Sequence, residues 1–316
     1  MEKRYKKYSV YLQEKYGEKV YKLPVNLPIT CPNRDGELSF GGCTFCAEEG
    51  TAFENLSNVF SVKDQLLVNK RKIGKKYNAK KFIAYFQNYS NTYLPIDKLK
   101  EYLYDACIED VVEISIATRP DCIDDEYLDV INKVAIEKKV NISIELGLQS
   151  INHQTLKKVN RGHSLAEFID AVIRIKKYDF VITVHLIANL PWDTRDDFIE
   201  GAKILSALNI DQIKIHSLFI IKDTVLAKQY LNNEFVICSK EEYIKRVVEF
   251  IRYTRSDIVF QRLLARASES ESLFCNWNTS WRKILNSIEE ILEKEDIHQG
   301  DKCNYLNGKA LSRFRK

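Results

Sequence analysis

The sequence contains no apolar run of the roughly eighteen residues that a membrane span needs. Its opening stretch, Met1-Glu2-Lys3-Arg4-Tyr5-Lys6-Lys7-Tyr8, is charged and aromatic and has none of the apolar core of a signal peptide. These absences argue against membrane and secreted classes, so a cytoplasmic protein is expected, in a compartment where disulfides are rare. No linker rich in glycine, serine or proline breaks the chain, and no low-complexity tract interrupts it. Strong charge is missing too: 48 basic against 44 acidic residues in 316 leave +4, too little to name a partner. What remains is 45% hydrophobic and 29% charged, the balance of a globular domain. Eight cysteines in a reducing compartment then ask for a metal or a reactive thiol wherever they cluster.

Past residue 80, short β-branched runs alternate with helical spacing. Strands are predicted at 81–87, 111–117, 141–148, 181–188 and 212–218, and helices at 96–107, 124–138, 164–178 and 194–208. Ser164 with Glu167 makes a capping box, and Asp124 is an N-cap. An earlier strand is expected to end near Leu27, followed by a cysteine-rich loop and a basic helix at 62–76. Strands apolar on both faces and joined by crossover helices imply a parallel sheet. Six such units are too few to close an eight-fold barrel. The expected fold is therefore α/β, a partial (β/α)6 TIM-like barrel over residues 1–235 with its cysteine loop near the start. A C-terminal α/β extension, residues 236–316, carries a helix at 239–254, a short strand at 258–262 and a last helix at 280–295; it closes the barrel as part of one continuous unit. Functional loops should gather at the carboxyl ends of the strands.

Cys31, Cys43 and Cys46 share one loop with the spacing C-x11-C-x2-C. The short second gap brings two thiolates to one centre, and Gly36, Gly41 and Gly42 let the loop fold the third back. A structural zinc site or an electron-carrier cluster would want four such ligands. Cys107, Cys122, Cys238, Cys275 and Cys303 stand alone, as core thiols do. Three thiolates on a four-iron cluster would leave one iron open to a chelating ligand, whereas inert buried thiols need neither the spacing nor the glycines.

Further motifs fall at or just beyond predicted strands: Tyr85-Phe86-Gln87 with Ser90-Asn91-Thr92-Tyr93, Thr118-Arg119-Pro120-Asp121-Cys122, Glu145-Leu146-Gly147-Leu148-Gln149-Ser150, Val159-Asn160-Arg161-Gly162-His163 and Ile213-Lys214-Ile215-His216. With Cys31-Pro32-Asn33-Arg34-Asp35-Gly36 and Gly41–Cys46, they resemble the radical S-adenosylmethionine (SAM) superfamily over nearly the whole chain. That superfamily's common motif is C-x3-C-x2-C with an aromatic residue before the last cysteine, the place Phe45 fills. The longer first gap is similar to the branch that includes the catalytic subunit of Elongator, and the motifs together resemble the bacterial YhcC/YtqA-type family. The resemblance implies a [4Fe-4S] cluster on Cys31, Cys43 and Cys46, with SAM chelated to its open iron and cleaved to a 5′-deoxyadenosyl radical. It places the Gln and Arg of Gln149-Ser150 and Arg161-Gly162-His163 facing SAM and Phe45 beside the cluster; by side-chain chemistry Arg161 suits the SAM carboxylate, and Gln87, Asn91 and Gln149 its amine and ribose. One stretch departs from the family: Leu186-Ile187-Ala188-Asn189-Leu190-Pro191-Trp192-Asp193 stands where a glycine-rich turn is usual. Asn189 tolerates a left-handed conformation, while Trp192 could stack on adenine or obstruct it.

The Elongator-like branch implies chemistry on the wobble uridine of tRNA, and the YhcC/YtqA-type family is linked to aminomethyl-type side chains at carbon 5 of that base. It also implies an electron donor such as flavodoxin or ferredoxin. Basic groups cluster at Lys70-Arg71-Lys72, Lys75-Lys76 and Lys80-Lys81, and in a tail carrying Lys309, Arg313, Arg315 and Lys316. At the start, Lys3, Arg4, Lys6 and Lys7 interleave with Tyr5, Tyr8 and Tyr11, a composition suited to phosphates and unpaired bases. Such runs also occur as solvated helix faces and frayed termini. His185 and His216 sit in strands and read as core residues or catalysts; Lys214 could point into the barrel, Glu145 could pair with a buried cation, and Asp121 could hold Arg119. The same chemistry on a small metabolite or protein, and a non-catalytic zinc-stabilised RNA-binding barrel, are the alternatives to tRNA modification.

Overall fold

In the computed structural model, residues 4–47, 56–265 and 270–314 are described. Strands β1 (Val20–Val25), β2 (Lys81–Phe86), β3 (Val111–Thr118), β4 (Asn141–Gln149), β5 (Val181–Ile187) and β6 (Gln212–His216) lie side by side in chain order, all parallel. A two-residue strand β7 (Ile220–Ile221) leaves this sheet, and β8 (Val259–Arg262) rejoins it parallel to β6. A last strand, β9 (Ser272–Phe274), pairs antiparallel with β7. The helices are α1 (Tyr8–Tyr16), α2 (Val62–Tyr77), α3 (Ile96–Ala106), α4 (Asp125–Lys138), α5 (His153–Lys158), α6 (Leu165–Ile175), α7 (Arg195–Ala207), α8 (Val225–Leu231), α9 (Lys240–Tyr253) and α10 (Trp281–Lys294). Seven parallel strands curl into a half-barrel, the partial TIM-like barrel expected, with one strand more than six because β8 comes from the C-terminal segment.

Helix starts follow the capping chemistry of the sequence. Ser164 accepts from the Glu167 N–H while Glu167 reaches back to the Ser164 N–H, and Thr194 with Asp197 repeats the box on α7. Asp124 caps α4 through the Tyr127 N–H. Helices α1, α5 and α8 were not predicted. The last two are seven residues or fewer, too short to show a period, and α1 is mostly tyrosine and charge.

The strands are apolar on one face only, which corrects the expectation of two apolar faces. Ile114, Ile116, Ile144, Leu146, Val184, Leu186, Ile213 and Ile215 point outward and are at most 2% exposed beneath the helices. The alternate positions Ser115, Glu145, His185 and Lys214 face inward and bond to one another. An open half-barrel surrounds a chamber, so only the outer face has helices to pack against.

The amino-terminal mouth of the half-barrel is plugged. On α1, Leu12, Tyr8, Tyr11 and Tyr16 pack with Val20, Ile83 and Val112, and Tyr16 donates to Glu113 at 2.7 Å. Residues ahead of α1 bridge to the far edge of the sheet: the Phe260 N–H donates to the Lys6 carbonyl at 2.8 Å. The basic and aromatic N-terminal residues, set against phosphates and bases or against a frayed terminus, are instead engaged within the chain. Arg4 pairs with Glu293 and Asp296, Lys7 pairs with Glu289, Tyr5 is buried with its hydroxyl on Glu289, and all of them sit at the end opposite the cysteine loop. Lys75, Lys76, Lys80 and Lys81 belong to the same end, because α2 runs down from the cysteine end and β2 starts below it. Lys3, Arg315 and Lys316 lie outside the described residues.

Candidate functional site

The cysteine loop leaves the carboxyl end of β1 and is tied down by its own backbone. The Gly42 N–H donates to the Asn33 carbonyl at 2.7 Å, the Cys46 N–H to the Cys43 carbonyl at 2.9 Å, and the Thr44 N–H to the Val159 carbonyl at 3.0 Å. The Leu226 N–H at the start of α8 donates back to the Thr44 carbonyl at 2.9 Å. Phe45 packs on the second apolar cluster, with Val159, Ile187, Leu190, Leu226 and Phe235. It thus anchors the loop to the ends of β5 and α8. The three thiols lie at one end of the half-barrel without converging: among the described residues, no group of three His, Cys, Asp or Glu side chains could hold a metal ion as placed.

Cationic side chains from two other strand ends reach these thiols. Arg161 is 7% exposed and has no carboxylate within ion-pair distance among the described residues, so the surface salt bridge that would have made it ordinary is absent. Its Nη1 donates to Cys43 Sγ at 3.6 Å, its Nη2 to the Gly147 carbonyl at 2.6 Å, and its Nε to His163 Nε2 at 2.8 Å. His163 accepts as a neutral ring, because burial and the Arg161 charge push its pKa down to about 3. Arg119 Nη1 lies 4.0 Å from Cys31 Sγ, while its other nitrogens make a bidentate pair with Asp121 at 2.8 and 2.6 Å. Asp121 thus holds Arg119. Burial pushes the Cys46 thiol up, and Cys43 adds to the effect.

Two glycines make this approach possible. A Cβ on Gly147 would lie 2.7 Å from Arg161 Nη2 and 3.0 Å from Gln149 Nε2, so both side chains cover one glycine. Gln149 is itself turned by a left-handed φ of 72° at a bulge against β5. Gly162, at φ 86°, would bring a Cβ within 2.4 Å of Asn33 Oδ1, so the Arg161 turn closes directly onto the cysteine loop. Asn33 is fully buried and its amide donates to both the Asn160 carbonyl and Cys43 Sγ. The sequence reading passed over Asn33; its place between two cysteines was the available signal.

The remaining candidate residues are spread around this centre. Gln87 is half-buried at the end of β2. Asn91 is fully buried, and its Nδ2 donates to the carbonyls of Phe86, Asn88 and Ala117 at 3.0, 2.9 and 2.8 Å. It staples the turn after β2 onto the end of β3 and keeps only Oδ1 for anything else. Asn189 is not left-handed, contrary to expectation; its Oδ1 accepts from the Leu218 N–H at 2.7 Å. Trp192 lies edge-on to Phe235 with ring centres 5.4 Å apart, part of the second core. Cys122 is pushed up to about 12 by burial and by Asp121.

Below the cysteine level, the inward side chains form a polar layer. Glu145 accepts from Lys22, from Ser115 at 3.1 Å, Tyr85 at 2.9 Å, His185 at 2.7 Å and Lys214 at 3.0 Å. Burial alone would raise the Glu145 carboxyl, but Lys214, Lys22 and His185 hold it well below the usual range. Burial, abetted by Lys22 and Arg262 and opposed by Glu145, brings Lys214 down to about 7. The rings of His185 and His216 lie 5.2 Å apart, and Arg262 Nη2 donates to His216 at 2.7 Å. Glu145 therefore is a buried partner of cations, and Lys214 does point into the barrel.

A half-barrel with three loop cysteines at its carboxyl end narrows the choice of family, and comparison with known proteins decides it. Residues 31–205 match the radical SAM superfamily, and residues 210–294 match the radical SAM C-terminal domain. The chain belongs to the radical SAM superfamily. YtqA of Bacillus subtilis is 31% identical over 95% of this chain and 92% of its own length. A tRNA uridine(34) acetyltransferase of Methanocaldococcus infernus is 28% identical over 46% of this chain and 26% of its own. Among solved structures, archaeal Methanocaldococcus infernus Elp3 superposes with a TM-score of 0.67 over 89% of this chain at 16% identity. The chain spans 64% of that structure, and the likeness extends to the fold. No helix among the described residues of this radical SAM protein is long and apolar enough to cross a membrane.

Proposed function

We propose that Cys31, Cys43 and Cys46 hold a [4Fe-4S] cluster, and that the chain cleaves SAM there to modify the wobble uridine of a tRNA. The observation that carries the first part is the pair of guanidinium groups at the thiols, Arg161 on Cys43 at 3.6 Å and Arg119 on Cys31 at 4.0 Å. Positive N–H donors favour thiolates, the form that ligates metal, and hydrogen bonds to sulfur tune such clusters. Three cysteines leave an iron-bound position for a chelating ligand, so the donor set fits this group. When bound, the cluster and SAM supply a 5′-deoxyadenosyl radical that abstracts hydrogen from the substrate.

The chain's own residues position and shield. Arg161 is buried, cationic and free of carboxylates among the described residues, so it is suited to the SAM carboxylate. Gln149 covers Gly147 beside it and offers neutral donors and acceptors for the amine and ribose, as does the half-buried Gln87. Asn91 would contribute through Oδ1 and by fixing its turn. Phe45 would set the loop through its packing on the second core. A tRNA substrate is supported by the relative named for tRNA uridine 34 and by exposed Lys157, Lys158, Lys222 and Lys228 around the carboxyl-end rim. The electron would come from a donor such as flavodoxin or ferredoxin.

Protein reconstituted without oxygen should carry about four irons and release 5′-deoxyadenosine after dithionite reduction. It should also alter the wobble uridine of tRNA from cells lacking the gene. Zinc in place of iron, or an iron cluster that never cleaves SAM, would overturn the enzymatic reading. SAM cleavage with no change in any tRNA would move the substrate to a small metabolite or a protein.

A further inference from the structure

Eleven residues separate Cys31 from Cys43 where the superfamily's common motif has three, and none of them has a part in the function proposed above. One of them, Asn33, is wholly buried. Its Nδ2 donates to Cys43 Sγ at 3.6 Å and to the Asn160 carbonyl. Its Oδ1 is buried with no hydrogen-bond partner among the described residues. A buried acceptor left unpaired is costly, and an apolar side chain would fill the same space without that penalty. Packing alone therefore does not account for an amide here. The bond to sulfur does.

The amide is held in place by groups other than the thiols. The Asn33 carbonyl accepts from the Gly42 N–H at 2.7 Å and from Ser39 Oγ at 3.2 Å, and a side chain on Gly162 would collide with Oδ1. Arg161 also donates to Cys43 at 3.6 Å, but in the function proposed above its guanidinium serves the SAM carboxylate. Asn33, neutral and enclosed, keeps its donor on the sulfur. An N–H···S bond strengthens as the sulfur gains electron density. It therefore stabilises a reduced cluster more than an oxidised one and raises the reduction potential. We propose that Asn33 is a positioning residue that sets how readily a cluster on these cysteines is reduced, through its amide bond to Cys43. The inference deepens the function proposed above and rests on it for the four-iron cluster, but not for SAM or the substrate.

The test is a redox titration of the reconstituted holoprotein without SAM, followed by electron paramagnetic resonance of the reduced cluster. Asn33→Leu keeps the volume and removes the donor. At a fixed potential its ratio of reduced to oxidised cluster should fall about tenfold, a midpoint about 59 mV lower for a one-electron couple. Asn160→Gly is the control. It removes two bonds that brace the same loop, to Ser39 Oγ and the Gly42 carbonyl at 3.0 Å each, but no donor to sulfur, and should leave the midpoint in place. An Asn33→Leu midpoint equal to the parent's, or an equal fall in Asn160→Gly, would overturn the proposal. Should Asn33→Leu hold no cluster, the parent labelled with nitrogen-15 in its asparagine side-chain amides decides. Electron–nuclear double resonance should show that nitrogen coupled to the reduced cluster, and the lack of any coupling would sink the proposal. A parent that takes up zinc or no iron would fault the cluster reading itself, and the proposal with it. A lowered midpoint in Asn33→Leu, with a parent that never cleaves SAM, would fault the reaction and leave Asn33 in its role.

Discussion

The two faces of the same strands have opposite chemistry. On β4, Ile144 and Leu146 point out and are fully buried under helices, while Glu145 between them points in and collects five hydrogen bonds. On β6, Ile213 and Ile215 alternate with Lys214 in the same way. The outer face removes apolar surface from water, at roughly 2–3 kcal/mol per large side chain, and fixes strand order and curvature. The inner face buries charge, which costs stability unless each group is paired. Fold and chemistry are thus separated by a single residue step, and a one-residue register slip would exchange them.

Substitutions on each face can break this contrast, beginning with the cysteine level above both. Cys43→Ala should reduce bound iron and 5′-deoxyadenosine release to background, while far-ultraviolet circular dichroism of the iron-free protein stays unchanged. Glu145→Gln strands Lys22 and Lys214 without their carboxylate and should cost about 3 kcal/mol in urea unfolding at pH 7. Adding Lys214→Met should recover part of that loss. A single variant as stable as the parent would show the pairing to be dispensable.

Ile144→Ala, one residue away, should cost about 2–4 kcal/mol through its cavity and leave SAM cleavage by the folded fraction intact. If it inhibits cleavage while leaving stability alone, the division between faces is wrong. Titration gives a smaller effect. Burial, followed by the charge of Lys214, lowers His185 to about 4, whereas an unfolded histidine titrates near 6.5. Between those values the unfolded chain binds the extra proton, so stability falls as pH drops through the window, by up to about 1.4 kcal/mol per pH unit. His185→Gln should flatten that dependence in unfolding measured from pH 7 to pH 4.5. Smallest of all, Arg4→Ala should change stability by less than about 1 kcal/mol and leave tRNA affinity unaltered, because Arg4 pairs with Glu293 and Asp296 at the plugged end.

Much of the frame was legible because long strands and capped helices announce themselves locally. Ser164 with Glu167 and the apolar alternation of 111–117 need no distant partner to be read. The short helices α5 and α8 carry no such period, yet α8 anchors the cysteine loop through Leu226. The basic and aromatic start of the chain misled for a related reason. Composition cannot show that Arg4, Tyr5 and Lys7 meet acids of α10 and its end, almost the whole chain away. In the candidate site, the spacing of Cys31, Cys43 and Cys46 was plain, whereas the bond from Asn33 to Cys43 and the staple by Asn91 were not.

By itself the sequence determined the β-α rhythm, the parallel sheet and the three-cysteine loop, since these rest on periodicity, capping and spacing within a few residues. Only the tertiary structure decided which strand face would be wet, that β8 would return to the sheet as its seventh strand, and that Lys22, Glu145, Lys214 and Arg262 would share one layer. Each of those depends on curvature and closure, which bring together residues from four separate strands and are set by packing among all the helices rather than by any local stretch.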